Sequence, residues 1–448
     1  MQYNRRENKL FTMVKTFTIP VLKSNEVGLI EKSLGTGGFC TVSAVRWLKL
    51  NSQKLPSSSD TLEDARSSLS KQFDGYEEMH HSQKSSMLPG KNLKKVDPLT
   101  QKAPRVALKK IKSDLEEERY EIAVKDLVSE ATILAKCSHR NIISLYAVGC
   151  DEDENTASSD IIPQKICFIL IDQLKSTLRK KLSKWKDEKG NGPEIFKSKI
   201  KLDKLWIERL KVAKQVADAL KYMHSKGFIH RDITPDNIGF TDDDAVKLFD
   251  FGLARSIGRD GKNDDSTGDG CVDGDNDQVF DLSSNTGTLR WVNAEFSEEE
   301  KVLLCVCVRF FLKLLFTFYF LRYMSPEVAL GKPYGFKVDI YSFSLVMYEI
   351  LNLTKPFSRL REPTAFTRMV IRDGFRPALD DSLPSTVRNL LKRMWSTDAT
   401  ERPSSNYVVA YLDELMQGDE FDLYPMGHFG WKKRFIEGCG EVVINQCN

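Results

Sequence analysis

At 448 residues, 41% hydrophobic and 29% charged, the chain can build one large two-lobed unit or two to three ordinary domains around a sizeable core. Its 66 basic and 63 acidic residues, a net charge of +3, argue against nucleic acid or an anionic membrane as an obligatory partner. The nine cysteines are scattered without a paired CxxC, and the six histidines complete no zinc set, so a reduced, intracellular compartment is expected.

Residues 1–27 read as a short mixed leader, and Met1 to Lys9 is polar with no apolar run after it, so no secretory signal is expected. From Val27 an alternating pattern runs into the cluster Gly35, Gly37, Gly38 and out again through Thr41 to Trp47, predicting two strands joined by a glycine-rich turn. Residues 51–104, rich in Ser, Lys, Gln and Asp without periodicity, predict a disordered insertion. Arg105 to Ile111 predicts a strand, and Val124 to Lys136 a helix with Leu127, Ala131 and Leu134 on one face. Asn141 to Val148 and Ile166 to Ile171 predict two more strands, separated by the acidic loop Asp151 to Asp160.

From Lys175 the pattern turns helical. A polar insertion is expected at about Lys184 to Lys201, followed by an amphipathic helix. That helix turns Trp206, Leu210, Ala213, Ala217, Leu220 and Met223 inward and Lys211, Lys214, Asp218 and Lys221 outward. Asp339 to Met416 carries several helical stretches, and a tail at 417–448 holds Lys432 and Lys433. A strand-rich front and a helix-rich back predict two lobes with a cleft between them.

Chemistry concentrates between His230 and Gly252. His230-Arg231-Asp232-Ile233-Thr234-Pro235-Asp236-Asn237 and Asp250-Phe251-Gly252 set two carboxylates and a carboxamide at short spacings around a predicted hairpin. Phosphoryl transfer uses such a set, with one Asp to orient a hydroxyl nucleophile and an Asn and a second Asp to hold magnesium. In these residues the chain resembles the eukaryotic protein kinases, and the resemblance covers roughly Leu29 to Met416 apart from the insertions.

The resemblance implies an α+β, bilobal fold with a β-rich N-lobe and a mainly α-helical C-lobe. Gly35-Thr36-Gly37-Gly38-Phe39-Cys40-Thr41-Val42 is similar to the loop that covers ATP phosphates, with Val42 and Ala107 at the adenine; Cys40 replaces the family's third glycine. Lys109, in Val106-Ala107-Leu108-Lys109, matches the phosphate-clamping lysine, and Glu130 matches the helix glutamate that positions it. Asp232 matches the catalytic aspartate, and Asn237 and Asp250 the Mg2+ ligands, for which hard oxygen donors are suited. Leu134, His230 and Phe251 fall where the family stacks an apolar column. Without the resemblance, Lys109 and Glu130 could be two solvated surface charges, and Asp232, Asn237 and Asp250 a buried polar cluster with no catalytic task.

Further matches and departures follow. Glu327 matches the glutamate that pairs with a distant arginine, here Arg402, and Asp339 the aspartate that braces the catalytic-loop backbone, with Ser344 in place of a glycine. Met394-Trp395 before Arg402-Pro403 is similar to the tyrosine-kinase-like group, whereas Pro235-Asp236-Asn237 is of the serine/threonine type. Thr234 replaces a lysine that neutralises the transferring phosphate, which should slow chemistry without preventing ATP binding. Gly239 stands where the family has a bulky residue under the adenine, which predicts a looser pocket floor.

The segment after Asp250 carries eight aspartates from Asp260 to Asp281. Asp273 to Asp277 resembles a calcium loop only faintly, because no glycine follows Asp277 and Ser284 stands at the closing glutamate; a calcium site is rejected. Ser283, Ser284 and Thr286 are either plain loop residues or phosphorylation sites for an upstream kinase, with Arg231 as the basic partner.

Gly287-Thr288-Leu289-Arg290 should lead directly into Tyr323-Met324-Ser325-Pro326-Glu327, but Trp291 to Arg322 intervenes, and Leu-Arg occurs on both sides of the interruption. Within it Val302 to Leu321 is almost wholly apolar. As a membrane span it would bury Arg309 and Lys313 at roughly 2.5–3.5 kcal/mol each; as an extra buried helix it has no polar face. As a translated intron it would owe its Phe and Leu runs to a pyrimidine tract, the reading favoured here.

The sequence thus predicts a leader (1–27), an N-lobe (28–174), a C-lobe (175–416, interrupted at about 291–322) and a tail (417–448). The resemblance implies a soluble, cytoplasmic serine/threonine kinase that uses ATP and Mg2+ to phosphorylate protein hydroxyls in signalling, without nucleic acid or membrane. The alternative is a pseudokinase scaffold that binds nucleotide with little turnover.

Overall fold

A computed structural model describes residues 19–48, 105–149, 162–163, 165–189, 199–257, 321–381 and 383–417. The expectations for 51–104, for the acidic loop Asp151 to Asp160, for Ser283, Ser284 and Thr286, for Trp291 to Phe320 and for the tail lie outside these residues.

The front lobe is a six-stranded sheet. Its strands are β1 (Val21–Leu22), β2 (Val27–Thr36), β3 (Cys40–Leu48), β4 (Val106–Ile111), β5 (Leu145–Gly149) and β6 (Phe168–Asp172), in the spatial order β1-β5-β6-β4-β3-β2. β6 is buried along its whole length, which is why its sequence is a continuous apolar run rather than an alternating one. β2 and β3 form the predicted hairpin, with Gly35 paired to Val42 and Thr36 to Thr41.

Several boundaries differ from the sequence reading. The leader was expected to end at Val27, yet β1 already pairs in parallel with β5, Val21 opposite Val148 and Leu22 opposite Gly149, and Leu22 is buried against Val27, Val106 and Phe168. A two-residue strand has too short a pattern to detect. The strand expected from Asn141 begins only at Leu145, because Asn141 is wholly buried and its amide donates to Val246 O and Gln215 Oε1.

One helix, α1 (Glu117–Ala135), packs on the sheet. It starts earlier than predicted, on Glu117 and Glu118, whose charges suit the positive end of the helix dipole. Ala123, Leu127, Ala131 and Leu134 form its buried stripe, and Glu130 lies buried among them.

The rear lobe is helical. The chain enters it through Gln173 to Lys175 and continues as β7 (Ser176–Thr177) and α2 (Leu178–Lys189). The polar insertion expected from Lys184 is therefore corrected: Lys184 to Lys189 is helix, anchored by Trp185, 1% exposed, an apolar contact that the surrounding lysines mask in sequence. Next come α3 (Lys199–Ser225), β8 (Phe228–Ile229), the hairpin β9 (Ile238–Phe240) and β10 (Val246–Leu248), and β11 (Arg255–Ser256). α4 (Lys337–Asn352), α5 (Ser385–Met394) and α6 (Ser405–Gln417) complete the lobe. All six residues predicted to face inward on α3 are buried.

α4 is buried from Val338 to Leu351, so it is the axis around which the lobe packs. Its C-terminal carbonyls are satisfied from another helix: Arg209 of α3 donates to Leu351 O at 2.9 Å. Ser344, the departure from glycine, is fully buried and bonds to Tyr341 O at 2.6 Å, so its hydroxyl costs nothing in unmet polarity.

Candidate active site

The two lobes bring the predicted residues to one cleft. In register, Val42 of β3 stands opposite Lys109 of β4, and Ala44 opposite Ala107, so Val42, Ala107 and Lys109 share one face of the sheet. Lys109 Nζ lies 2.7 Å from Glu130 Oε2 and 3.0 Å from Asp250 Oδ1, joining β4, α1 and the segment after β10. Burial acts against the ammonium, but Asp250 and Glu130 outweigh it and hold Lys109 charged well above the usual range. Lys109 in turn keeps the Asp250 carboxyl below the usual carboxylate range.

Asp250 itself has φ of 66°, a left-handed conformation that a non-glycine residue adopts only when its surroundings enforce it. Those surroundings are visible. Phe251 is fully buried with its ring edge-on to His230 at 4.9 Å, and its amide points to Glu130 Oε1 at 3.4 Å. Leu134 is buried in the same core.

On the other side, Asn237 Nδ2 donates to both Asp232 Oδ2, at 2.6 Å, and Asp232 O, at 3.0 Å. The Asp232 carboxyl is pushed up to about 7, by burial first and by the Asp250 charge second, against the Asn237 hydrogen bond. Beneath this loop Asp339, fully buried, accepts the amides of His230 at 2.9 Å and Arg231 at 2.8 Å, and faces His224 Nε2 at 3.0 Å. Those partners keep its carboxyl low despite burial.

The glycine turn closes through Gly37 N to Cys40 O at 2.8 Å. A Cβ on Gly35 would meet no atom within 4 Å, so the glycine there leaves open space beside the strand rather than relieving a clash. Gly38 lies in the same turn, ahead of Phe39, which is buried under the Arg119 guanidinium.

Some members of the site gave no sequence signal. Arg179, the second residue of α2, binds Glu349 Oε1 at 2.5 Å, Asp236 Oδ2 at 3.2 Å and the Tyr323 hydroxyl at 3.1 Å, while its amide bonds to Pro235 O. Tyr323 also donates to Glu349 Oε2. This network joins the loop from Asp232 to Asn237 to α4 and to the residue that follows the interruption, over sequence separations up to 170 that no local pattern marks. Arg231 was expected near a phosphate; it bonds to Leu253 O at 2.6 Å and to the Tyr334 hydroxyl at 2.9 Å, and its Nη2 is buried without a partner.

Among the described residues no cluster of three or more His, Cys, Asp or Glu forms a closed metal cage. What the cleft offers is one carboxamide and two carboxylates on its open side, the donor set of an ion that magnesium-type chemistry shares with substrate phosphates.

A profile described as "Protein kinase domain" matches residues 95–301, and one described as "Protein tyrosine and serine/threonine kinase" matches 317–412; together they span more than half of the chain. The chain belongs to the protein kinase family. Its expected bilobal α+β fold is the one described above, and the second match agrees with the tyrosine-kinase-like features at Met394-Trp395. The gap between the matches falls inside Trp291 to Arg322, and the glycine hairpin precedes residue 95.

Relatives of this kinase are distant in sequence. It is 26% identical over 314 residues to the serine/threonine/tyrosine-protein kinase HT1 of Arabidopsis thaliana, covering 70% of this chain and 60% of that one. It is 26% identical over 312 residues to the interferon-induced, double-stranded RNA-activated protein kinase of Mus musculus, covering 69% and 46%. To the mitogen-activated protein kinase kinase kinase 7 of Bos taurus it is 26% identical over 219 residues, covering 47% and 29%. The chain therefore spans between about three tenths and three fifths of the length of these relatives. Among its described residues no helix is long and apolar enough to cross a membrane, and Val302 to Phe320 lies outside them.

Proposed function

We propose that this kinase transfers the γ-phosphoryl group of ATP to serine and threonine hydroxyls of protein substrates in intracellular signalling. The observation that carries the reading is the bridge of Lys109 to both Glu130 and Asp250, with Asp232 and Asn237 hydrogen-bonded beside it. A cation bridging two carboxylates of different elements sits where phosphate oxygens can take over part of its hydrogen bonding.

In this reading Gly35, Gly37 and Gly38 bring main-chain amides to the phosphates, Val42 and Ala107 cover the base, and Lys109, held by Glu130, fixes the phosphates. Asp232 orients the acceptor hydroxyl and takes its proton as the bond to phosphorus forms. Its raised affinity for a proton suits that task, and Asn237 fixes which oxygen is presented. Asn237 and Asp250 would hold Mg2+, which when bound offsets charge on the transferring phosphate. Serine/threonine specificity rests on Pro235-Asp236-Asn237, which stands next to the Arg179 contact. Arg231, with Nη2 unmet, would receive a phosphate on Ser283, Ser284 or Thr286 added by an upstream kinase.

Protein phosphorylation from labelled ATP with magnesium tests this on the full chain, on the chain lacking Trp291 to Arg322, and on each with Asp232→Asn. Transfer that disappears with Asp232→Asn supports the assignment. ATP binding without transfer in every form would overturn it in favour of a scaffold.

A further inference from the structure

We infer that Leu174 of the inter-lobe hinge, and not strand β9, supplies the floor of the nucleotide cleft; the inference rests on the nucleotide-binding reading above. Gly239 follows Asn237 by two residues, so along a strand it shares the face of Asn237, which is turned to the cleft. A Cβ on Gly239 would lie 2.5 Å from Leu174 Cδ1 and 3.2 Å from Phe249 Cε1. The volume that a side chain at 239 would occupy therefore already holds the tip of Leu174. The expectation of a looser floor is corrected on this point: the missing side chain is replaced from the hinge.

Two main-chain links bring Leu174 there. Lys175 N donates to Phe240 O at 2.7 Å, and Thr177 of β7 pairs with Gly239 itself. A bulky residue at 239 would push the hinge leucine off β9, so the glycine is what allows the close approach. Leu174, Phe249 and Val42 are each only partly buried although each packs on the main core. In this inference Val42, with Ala107 beside it on the sheet face that carries Lys109, forms one side of an apolar slot and Leu174 the other. A flat base attached to phosphates held at Lys109 fits such a slot, with Val42 and Ala107 above and Leu174 below.

Titration of the full chain with a fluorescent ATP analogue and magnesium tests this, with the melting transition of each variant confirming that it folds. Leu174→Ala should weaken binding about tenfold, and Leu174→Met, which keeps the volume, should hold it within about twofold. Gly239→Leu alone should weaken binding by displacing Leu174, whereas Gly239→Leu combined with Leu174→Ala should recover it to within about threefold. Unchanged affinity in Leu174→Ala, or losses that simply add in the double variant, would overturn the assignment. An unsubstituted chain that binds no nucleotide would instead remove the underlying reading and this one with it.

Discussion

Glu327 and Arg402, 75 residues apart in sequence, meet in a two-armed ion pair with Nη1 to Oε1 at 2.6 Å and Nη2 to Oε2 at 2.9 Å. Arg402 is fully buried, stacks over Tyr341, and spends its remaining donors on Ser396 O, Lys337 O and Thr397 O. Such a pair fixes the segment after the interruption to the far end of the lobe. Glu327→Gln leaves a buried guanidinium without its counter-charge and should destabilise by about 3–5 kcal/mol, read as a lower urea midpoint. A midpoint shift equivalent to less than about 1 kcal/mol would mean that solvent reaches Arg402.

Asp232 gives a pH signature. Its carboxyl rises from the ordinary 3.8 to about 7 in the fold, so the folded chain holds a proton that the unfolded chain has released. This carboxyl therefore withdraws stability as pH rises between those values, a contribution that Asp232→Asn lacks. The variant should match wild type below pH ~4 and exceed it by on the order of 2 kcal/mol above pH ~7, after allowance for the open side of the cleft. Parallel stability curves for the two chains would contradict the raised value.

Lys109→Met removes a cation shared by Glu130 and Asp250. Loss of a single charged stabiliser of this kind typically lowers kcat by about 10²–10³. The expected outcome is a folded chain, by circular dichroism, with at least that loss in transfer rate. Retained transfer would mean that another group holds the phosphates.

Arg322, immediately before Tyr323, is buried and donates to Pro356 O. Because Leu-Arg stands on both sides of the interruption, excision of Trp291 to Arg322 and excision of Leu289 to Phe320 leave the same sequence, with an arginine still before Tyr323. The shortened chain should therefore keep this contact and melt no lower than the full one. A drop of several degrees would show that the removed residues belong to the fold.

Much of this architecture is written in local pattern. The β2–β3 hairpin, the stripe of α1 and the inward face of α3 follow from periodicities a few residues long, whereas the set from His230 to Gly252 was legible through its resemblance to the kinase motifs. What escaped is non-local or masked. Trp185 turns a lysine-rich stretch into helix by burying one ring, Arg179 gains its meaning only through Glu349 and Tyr323, and Leu174 matters because Gly239 lacks a side chain. The Phe251 amide reaching toward Glu130 could not be read either, since it depends on a left-handed turn at Asp250.

The two-residue strand β1 has a bearing on solubility. It covers the outer side of β5, with Val148 N bonded to Pro20 O at 3.0 Å, and makes itself the margin of the sheet. A chain trimmed to begin at Val27 would turn β5 into a bare margin of unpaired N–H and C=O groups and uncover Ala147 and Phe168, which Leu22 now screens. Strand-to-strand self-association between copies follows from such an edge, so the few residues before Val27 act as a guard against aggregation.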